Sequence, residues 1–242
     1  MLQDSSAIRP RQRYENDLAE GRIQKDSAQA AAIDYLDALY GQLIQSPQKT
    51  TLLGQARSIL PAWLMPGKSS VASPKGCYFY GGVGRGKTYV MDLFYESLPF
   101  AQKQRTHFHR FMQQVHAGLK VHKGSKDPLE RVADGIADQA RVLCFDEFFV
   151  SDIGDAMILA GLLSRLFERG LVLVATSNIH PDKLYENGLQ RQRFLPAIEL
   201  VKVNTTVFEL DGGVDYRLRT LEQAPLYFSP VDEASESALQ DA

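Results

Sequence analysis

Short apolar runs alternate with amphipathic stretches through most of this 242-residue chain. Three of the runs, at residues 77–80, 142–145 and 171–175, are continuously apolar or aromatic, which is typical of strands buried on both faces of a sheet. In the stretches between them, apolar residues recur at spacings of three and four, which is the period of a helix. Strands that alternate with helices predict an α/β fold with a parallel sheet and crossover connections.

The apolar pattern predicts the other elements less sharply. Residues 14–43 carry an apolar stripe at helical spacing, and Gly21 divides it into two predicted helices. Residues 106–112 alternate enough to form a strand, on which His107 and His109 would share one face. No further ligands accompany this pair at the spacing that zinc needs, so no metal is expected there. The remaining predicted elements are helices over residues 52–60, 89–95, 113–122, 129–139, 152–168 and 181–195 and a strand over residues 201–210.

A phosphate-loop motif, G-x-x-x-x-G-K-[ST], occupies residues 81–88 between a predicted strand and a predicted helix. Glycines let the backbone curl so that successive N–H groups converge on phosphate oxygens. Lys87 would bring a cation to the β- and γ-phosphates, and the hydroxyl of Thr88 would ligate Mg²⁺. The motif therefore predicts a site for ATP and Mg²⁺, formed by Gly81, Gly82, Val83, Gly84, Arg85, Gly86, Lys87, Thr88 and Tyr89.

Polar residues follow two of the predicted buried strands. Asp146 and Glu147 end the second strand as in a Walker B motif, where Asp146 would hold Mg²⁺ through its water shell and Glu147 would polarise the attacking water. Asn178 follows the third strand and would hydrogen-bond the γ-phosphate or that water, the role called sensor 1 in AAA+ ATPases. The alternative role for Asn178 is to cap a helix that begins near Pro181. With the phosphate loop, these residues predict hydrolysis of ATP.

Two arginines lie near the end of the helix predicted over residues 181–195. In AAA+ rings this region supplies an arginine finger, which enters a neighbouring subunit's site and neutralises charge in the transition state. Arg191 and Arg193 are both candidates, and because they are two residues apart they would point in different directions. We favour Arg193 for this role. The alternative is that both are solvated or form local ion pairs.

The motifs and the apolar pattern divide the chain into three parts. Residues 1–74 would form an N-terminal helical extension and linker. Residues 75–228 would form a three-layer αβα nucleotide-binding core of the AAA+ P-loop type. Residues 229–242 would form a loose tail, which is acidic because residues 231–242 hold four acidic and no basic side chains.

Charge and composition narrow the class of partner and the compartment. With 27 basic and 29 acidic residues the formal net charge is -2, so no basic excess indicates nucleic acid. Lys120, Lys123 and Lys126 form one modest basic cluster, which keeps a nucleic-acid-associated AAA+ module as an alternative. No apolar run approaches membrane-spanning length and no secretory signal is evident, so we expect a cytoplasmic location with at most peripheral membrane contact. Cys77 and Cys144 lie within strand-like runs and are expected to be buried thiols.

Several segments together resemble the ZapE cell-division ATPases, a family that includes the AFG-like ATPases of mitochondria. The resemblance extends from about residue 14 to about residue 230. Its most specific parts are the H-F-H-x-F-M and N-G-L-Q-R segments. The segments that carry the resemblance are the phosphate loop at 81–88, Met-Asp-Leu-Phe-Tyr at 91–95, His-Phe-His-Arg-Phe-Met at 107–112, Cys-Phe-Asp-Glu-Phe at 144–148, Ala-Thr-Ser-Asn at 175–178, Asn-Gly-Leu-Gln-Arg at 187–191, Arg-Phe-Leu-Pro at 193–196 and Asp-Tyr-Arg-Leu-Arg at 215–219.

The resemblance implies a function that composition and spacing do not show. ZapE-type proteins are AAA+-related ATPases that associate with the division ring late in constriction. They interact with the tubulin-like protein FtsZ and affect its polymers in an ATP-dependent way. By resemblance, this chain would be a Mg²⁺-dependent ATPase that acts on FtsZ, assembles as a homo-oligomer with ATP and lies on the inner-membrane side of the division site.

One departure from the family pattern concerns the C-terminal end. Family members continue past residues 226–230 into a region that includes the small helical lid, whereas here only the acidic tail follows. Either the chain is truncated or it is a divergent short form that lacks the lid. In both cases no sensor 2 arginine can be assigned, and we expect weak ATP turnover. A nucleotide-gated interaction protein that hardly hydrolyses ATP is accordingly a further alternative.

Overall fold

A parallel five-stranded sheet forms the centre of the protein. The structure, a computed structural model, describes residues 8–45 and 73–211. The strands are β1 (Gly76–Tyr80), β2 (Lys103–His107), β3 (Val142–Asp146), β4 (Val172–Ser177) and β5 (Thr205–Glu209). They lie in the order β2-β3-β4-β1-β5, and each neighbouring pair is parallel. The parallel sheet predicted from the apolar runs is confirmed.

Helices cover both faces of the sheet, which gives the three predicted layers. Alternate residues of a strand point to opposite faces, so Tyr78 packs on one side and its neighbours Cys77 and Phe79 pack on the other. The helices are α1 (Pro10–Ala19), α2 (Ser27–Gln45), α3 (Lys87–Ser97), α4 (Phe108–Val121), α5 (Pro128–Gln139), α6 (Ile153–Glu168) and α7 (Leu195–Asn204). The core on the Tyr78 side contains α4 to α7, and the core on the Cys77 side contains α1 to α3.

The N-terminal helices α1 and α2 dock on α3, the helix that follows the phosphate loop. The apolar stripe of α2 is buried, with Leu36, Leu39 and Leu43 each at most 2% exposed. Burying a leucine side chain contributes about 1.5–3 kcal/mol, so this stripe anchors the N-terminal pair firmly. The hydroxyl of Tyr89 on α3 also donates to the carboxylate of Asp17 on α1, at 2.6 Å. The two helices predicted on either side of Gly21 are confirmed, although α1 begins at Pro10 rather than near residue 14.

The segment after β2 differs from the prediction. The strand predicted over residues 106–112 ends at His107, and α4 begins at Phe108 rather than at residue 113. The reason is the apolar spacing, since the buried residues of α4 recur at the helical period. His107 and His109 therefore do not share a strand face, because His107 ends β2 and His109 lies in the first turn of α4. The buried residues of α4 are Phe108, Phe111, Met112 and Val115.

The prediction of a helix over residues 181–195 is wrong. Two short 3-10 turns occupy Pro181–Lys183 and Arg191–Arg193. Between them, Tyr185 and Gln190 have left-handed backbones with φ of 54° and 56°, which interrupt a right-handed helix.

The strand predicted over residues 201–210 begins later, at Thr205. Helix α7 extends through residues 195–204, with Pro196 in the first turn, where a missing N–H is tolerated. Ala197, Ile198 and Val201 of α7 are buried. A short apolar run fits a strand and a buried helix equally well, so only the packing of the whole chain distinguishes them.

Cys77 and Cys144 are buried free thiols, as predicted, and burial raises the pKa of Cys144 to about 12.

None of the helices in the described part of the chain has the length and apolar character of a membrane span. The helix predicted over residues 52–60, the segment at residues 215–219, the tail at residues 229–242 and the question of a lid lie outside the described residues.

Candidate nucleotide site

The strand order brings three separate segments to one edge of the sheet. The phosphate loop follows β1, Asp146 ends β3, and β4 lies between those two strands. The carboxyl ends of parallel strands meet at the same edge, where α/β proteins bind their ligands. Asn178, directly after β4, therefore lies between the phosphate loop and Glu147. The sequence predicts that each segment follows a strand, but it does not predict the order of those strands in the sheet.

The phosphate loop has a backbone that glycine alone suits. Gly81, Gly84 and Gly86 have φ of 144°, 80° and 80°. A Cβ on Gly81 would lie 2.3 Å from the carbonyl oxygen of Leu210, and one on Gly86 would lie 2.6 Å from the side-chain nitrogen of Gln29. Both distances are far shorter than a carbon can approach these atoms. The loop is thus packed from outside against Leu210, directly after β5, and against Gln29 of α2.

Lys87 is held at the loop by two carbonyl groups. Its Nζ donates to the oxygens of Gly81 and Gly82, at 2.8 and 2.6 Å, and the residue is 9% exposed. An ammonium group that has lost most of its water interacts strongly with a nearby negative charge. The position is suited to phosphate oxygens that enter the loop.

Gln29 is a residue of this site that sequence reasoning missed. It belongs to α2, it is 2% exposed, and its amide nitrogen donates to the carbonyl oxygen of Arg85 at 3.3 Å. The N-terminal helices therefore contact the phosphate loop directly, although 56 residues separate the two partners. No local pattern predicts such a contact.

Asp146 is engaged by an arginine that sequence reasoning also missed. Arg105 on β2 donates from Nε and Nη2 to the two carboxylate oxygens of Asp146, at 2.8 and 3.2 Å. The same guanidinium pairs with Asp92 on α3. Burial raises the pKa of the Asp92 carboxyl, and the positive charge of Arg105 opposes that effect. In the sequence, Arg105 is one polar residue of an edge strand, and nothing there assigns it to the site.

Glu147 has a backbone that few residues other than glycine adopt. Its φ is 53°, and a left-handed conformation of this kind costs about 1–3 kcal/mol at a non-glycine residue. The surrounding contacts hold it, because the N–H of Glu147 donates to the hydroxyl of Thr176 at 3.3 Å and the N–H of Phe148 donates to the Thr176 carbonyl at 2.7 Å. Phe148 is fully buried beside it. The exposed Glu147 side chain is thus presented at the edge of the sheet by a rigid support.

Glu147 and Asn178 meet the phosphate loop at one cavity of about 380 Å³. Asn178 is exposed, and it does not cap the following turn, since the side chain of His180 accepts the N–H of Asp182 there. The alternative role of Asn178 as a helix cap therefore has no support in this geometry. The cavity is lined by residues 83–88, Glu147 and residues 176–178.

A larger groove of about 940 Å³ adjoins this cavity. It shares Glu147 and Asn178 with the cavity, and its other walls are α4 and the loop after β3. Phe149 lines it and is 56% exposed, and His116 of α4 lies 2.7 Å from a carboxylate oxygen of Asp155. Sequence reasoning missed this groove because its walls come from separate segments. The groove and the cavity at the phosphate loop therefore meet at Glu147, Ser177 and Asn178.

Arg191 and Arg193 lie in the second 3-10 turn, and their surroundings differ. Arg191 is partly buried, and its Nη2 donates to the carbonyl oxygen of Asp182 at 2.5 Å. Arg193 is exposed, and its side chain has no hydrogen bond or ion pair with other described residues. Neither lines the cavity at the phosphate loop. Leu189, beside them, is 73% exposed.

The residues at this site fit ATP with Mg²⁺. Because a Cβ at Gly81 or Gly86 would collide with Leu210 or Gln29, the loop keeps a glycine backbone of the kind whose N–H groups bind phosphate oxygens, and the Lys87 ammonium adds a cation. Thr88 and Asp146 offer hydroxyl and carboxylate oxygens, which are the ligands that Mg²⁺ prefers. Lys87 begins α3, so the positive N-terminal end of that helix also faces the loop.

The fold and the site together define an AAA+-type P-loop protein. The chain belongs to the AFG1-like ATPase family, whose family model matches residues 8–242. It is 49% identical over 234 residues to the cell division protein ZapE of Escherichia coli strain K12, and the match covers 96% of this chain and 62% of ZapE. It is 43% identical over 178 residues to lactation elevated protein 1 homolog B of Danio rerio, with 69% of this chain and 35% of that protein covered. The chain thus spans less than two thirds of the length of these relatives.

Two solved structures are similar in fold. DnaI matches with a TM-score of 0.51 and 16% identity over 78% of this chain and 89% of its own. The DnaC helicase loader matches with a TM-score of 0.50 and 12% identity over 82% of this chain and 99% of its own. At such low identity the likeness concerns the fold alone.

Proposed function

We propose that this chain binds ATP with Mg²⁺ at the site described above and hydrolyses it. The observation that carries the proposal is the meeting of the phosphate loop, Glu147 and Asn178 at one cavity, with Asp146 at the end of the neighbouring strand. These residues come from three distant parts of the chain. Membership in the AFG1-like ATPase family supports the same reading.

Each residue has a distinct role in the proposed reaction. The loop N–H groups and Lys87 would bind the β- and γ-phosphates, while Thr88 and Asp146 would hold the cation. When bound, Mg²⁺ neutralises charge on the phosphate oxygens. Glu147 would accept a proton from the attacking water, and Asn178 would orient that water or the γ-phosphate.

The first test is phosphate release from ATP and Mg²⁺ over a range of protein concentrations, with and without FtsZ. We expect turnover per chain to rise with protein concentration, because a neighbouring subunit would complete the site. A flat, near-zero rate despite measurable ATP binding would instead support the nucleotide-gated interaction protein. Binding to nucleic acid that falls steeply with salt, through Lys120, Lys123 and Lys126, would support the helicase-loader-like alternative.

We propose Arg193 as the arginine that acts on a neighbouring site. Arg191 is held within its own chain by the carbonyl of Asp182, whereas Arg193 is exposed beside the exposed Leu189. An exposed arginine without a partner among the described residues can reach a second copy. This assignment implies that the active form is a homo-oligomer.

Replacing Arg193 by alanine is expected to lower turnover about 10³-fold while ATP binding by the single chain stays unchanged, since an arginine finger stabilises only transition-state charge. Mixing Arg193→Ala with Glu147→Gln should restore part of the activity, because some interfaces then pair an intact arginine with an intact site. Phosphate release across mixing ratios measures this effect. With mixed assembly verified by native mass spectrometry, activity that never recovers would exclude action in trans. Arg191→Ala is the matched control and should not show this complementation pattern.

The proposed biological role is in cell division, by analogy with ZapE. The 49% identity over 96% of this chain supports a role of the ZapE kind. FtsZ polymers are then the proposed substrate, and ATP-driven conformational change is the proposed action on them. The proposed location is cytoplasmic, at the division site on the inner-membrane side.

A further inference from the structure

A network of three charged side chains lies beside the proposed magnesium position. Arg105 binds both oxygens of Asp146 through two of its nitrogens, at 2.8 and 3.2 Å, and pairs with Asp92 through the third. The Asp146 side chain is 14% exposed and that of Arg105 is 28% exposed. A bidentate pair with this little solvent is stronger than an ordinary surface salt bridge.

Asp92 belongs to the same side of the site as Thr88. The two residues are four apart on α3, so they share one face of that helix. Arg105 bridges Asp92 to Asp146, which places both carboxylates within the reach of one guanidinium. Without Arg105, the carboxylates of Asp92 and Asp146 would lie close together with no cation between them, and paired carboxylates attract divalent cations. With Arg105, the oxygens of Asp146 already have a cationic partner.

We propose that Arg105 is a positioning residue that closes the magnesium position to free divalent cations and admits only the cation that arrives with the nucleotide. The inference rests on the proposed function, in which Asp146 holds Mg²⁺ through its water shell. The guanidinium repels a free cation and occupies the carboxylate that would bind it. The triphosphate would supply several negative charges of its own, which would outweigh the repulsion and let Asp146 help to hold the cation. Arg105 thereby also keeps Asp146 in one orientation before the nucleotide binds.

The test uses Mn²⁺ as a paramagnetic probe, titrated into the protein without nucleotide and followed by electron paramagnetic resonance. Wild-type protein is expected to bind Mn²⁺ weakly, whereas Arg105→Gln should bind it roughly tenfold more tightly or better, because the repelling charge is gone. Adding Asp92→Asn to Arg105→Gln should reverse most of that gain. Arg105→Lys keeps the charge and should resemble the wild type.

A matched control uses a second ion pair of α3, the helix that carries Asp92. Arg13 pairs with Glu96 on α3 at 3.1 Å, at a more exposed position, so Arg13→Gln should leave Mn²⁺ binding unchanged. Among the described residues, no group of three or more His, Cys, Asp or Glu side chains could hold a metal ion, so a strong competing site is not expected. Equal Mn²⁺ affinity of wild type and Arg105→Gln would overturn the inference, as would Arg105→Lys behaving like Arg105→Gln.

The wild-type protein provides a check that needs no variant. Mn²⁺ alone should leave its Tm unchanged, while Mn²⁺ with ATP should raise it, since a ligand that binds only the folded state stabilises it. A rise in Tm with Mn²⁺ alone would contradict the proposal. ATP binding by the wild type, measured in the same series, separates the proposed function from the inference about Arg105. Absent ATP binding would refute the proposed function, and metal-dependent ATP binding without any effect of Arg105→Gln on Mn²⁺ affinity would refute this inference alone.

Discussion

Replacing Lys87 by alanine is expected to weaken ATP binding by roughly 30-fold or more, since losing one partner of a desolvated charge pair costs about 2–5 kcal/mol. Lys87 is 9% exposed and its ammonium group is held by two loop carbonyls, so little water screens it from a phosphate. Titration of a fluorescent ATP analogue at fixed Mg²⁺ measures the change.

Two comparisons make the Lys87 result specific. Lys123→Ala removes an exposed lysine from the turn after α4 and should leave ATP affinity unchanged. Thermal unfolding without nucleotide should be similar for wild type and Lys87→Ala, because the loop keeps its glycine backbone. Unchanged ATP affinity in Lys87→Ala would remove the phosphate loop from the proposed function.

Glu147→Gln is expected to bind ATP normally and to cleave it about 10²–10⁴-fold more slowly, the contribution typical of a general base. Glutamine has the same size as glutamate and can occupy the same left-handed backbone, so the support from Thr176 and Phe148 stays in place. What is lost is the ability to accept a proton from water. Single-turnover cleavage of pre-bound ATP separates this step from binding and product release.

The control for Glu147→Gln is Glu186→Gln, which makes the same chemical change at an exposed residue outside the cavity. Glu186→Gln should cleave ATP at the wild-type rate. If Glu147→Gln retained wild-type cleavage, Glu147 would not be the base, and Asn178 with the phosphate loop would have to account for catalysis.

The predictions for Lys87 and Glu147 rest on residues that the sequence already identified. Gln29 and Arg105, in contrast, were found at the site only in the structure. A phosphate loop is local, because its glycines, lysine and threonine act through backbone geometry within eight consecutive residues. Gln29 contacts Arg85 across 56 residues and Arg105 contacts Asp146 across 41 residues. Contacts at such separations depend on which elements pack together.

The misassigned segments have a similar physical cause. Residues 181–195 contain enough apolar residues for a helix, but the left-handed backbones of Tyr185 and Gln190 fold them into short turns. Residues 201–204 alternate apolar and polar side chains, which suits the start of a strand as well as the end of the helix that they form. Periodicity cannot separate such cases, since the decision depends on burial against neighbouring elements.

By itself the sequence determined the α/β class, the phosphate loop with its lysine and threonine, and the positions of Asp146, Glu147 and Asn178 after buried strands. These features follow from local chemistry, namely apolar period, glycine freedom and the residue types that bind phosphate and Mg²⁺. The tertiary structure decided that β4 lies between β1 and β3, which places Asn178 between the phosphate loop and Glu147. It also decided that α2 supports the loop through Gln29 and that Arg105 is the partner of Asp146. Strand order and long-range pairing are set by the burial of the whole chain, which no single stretch of sequence contains.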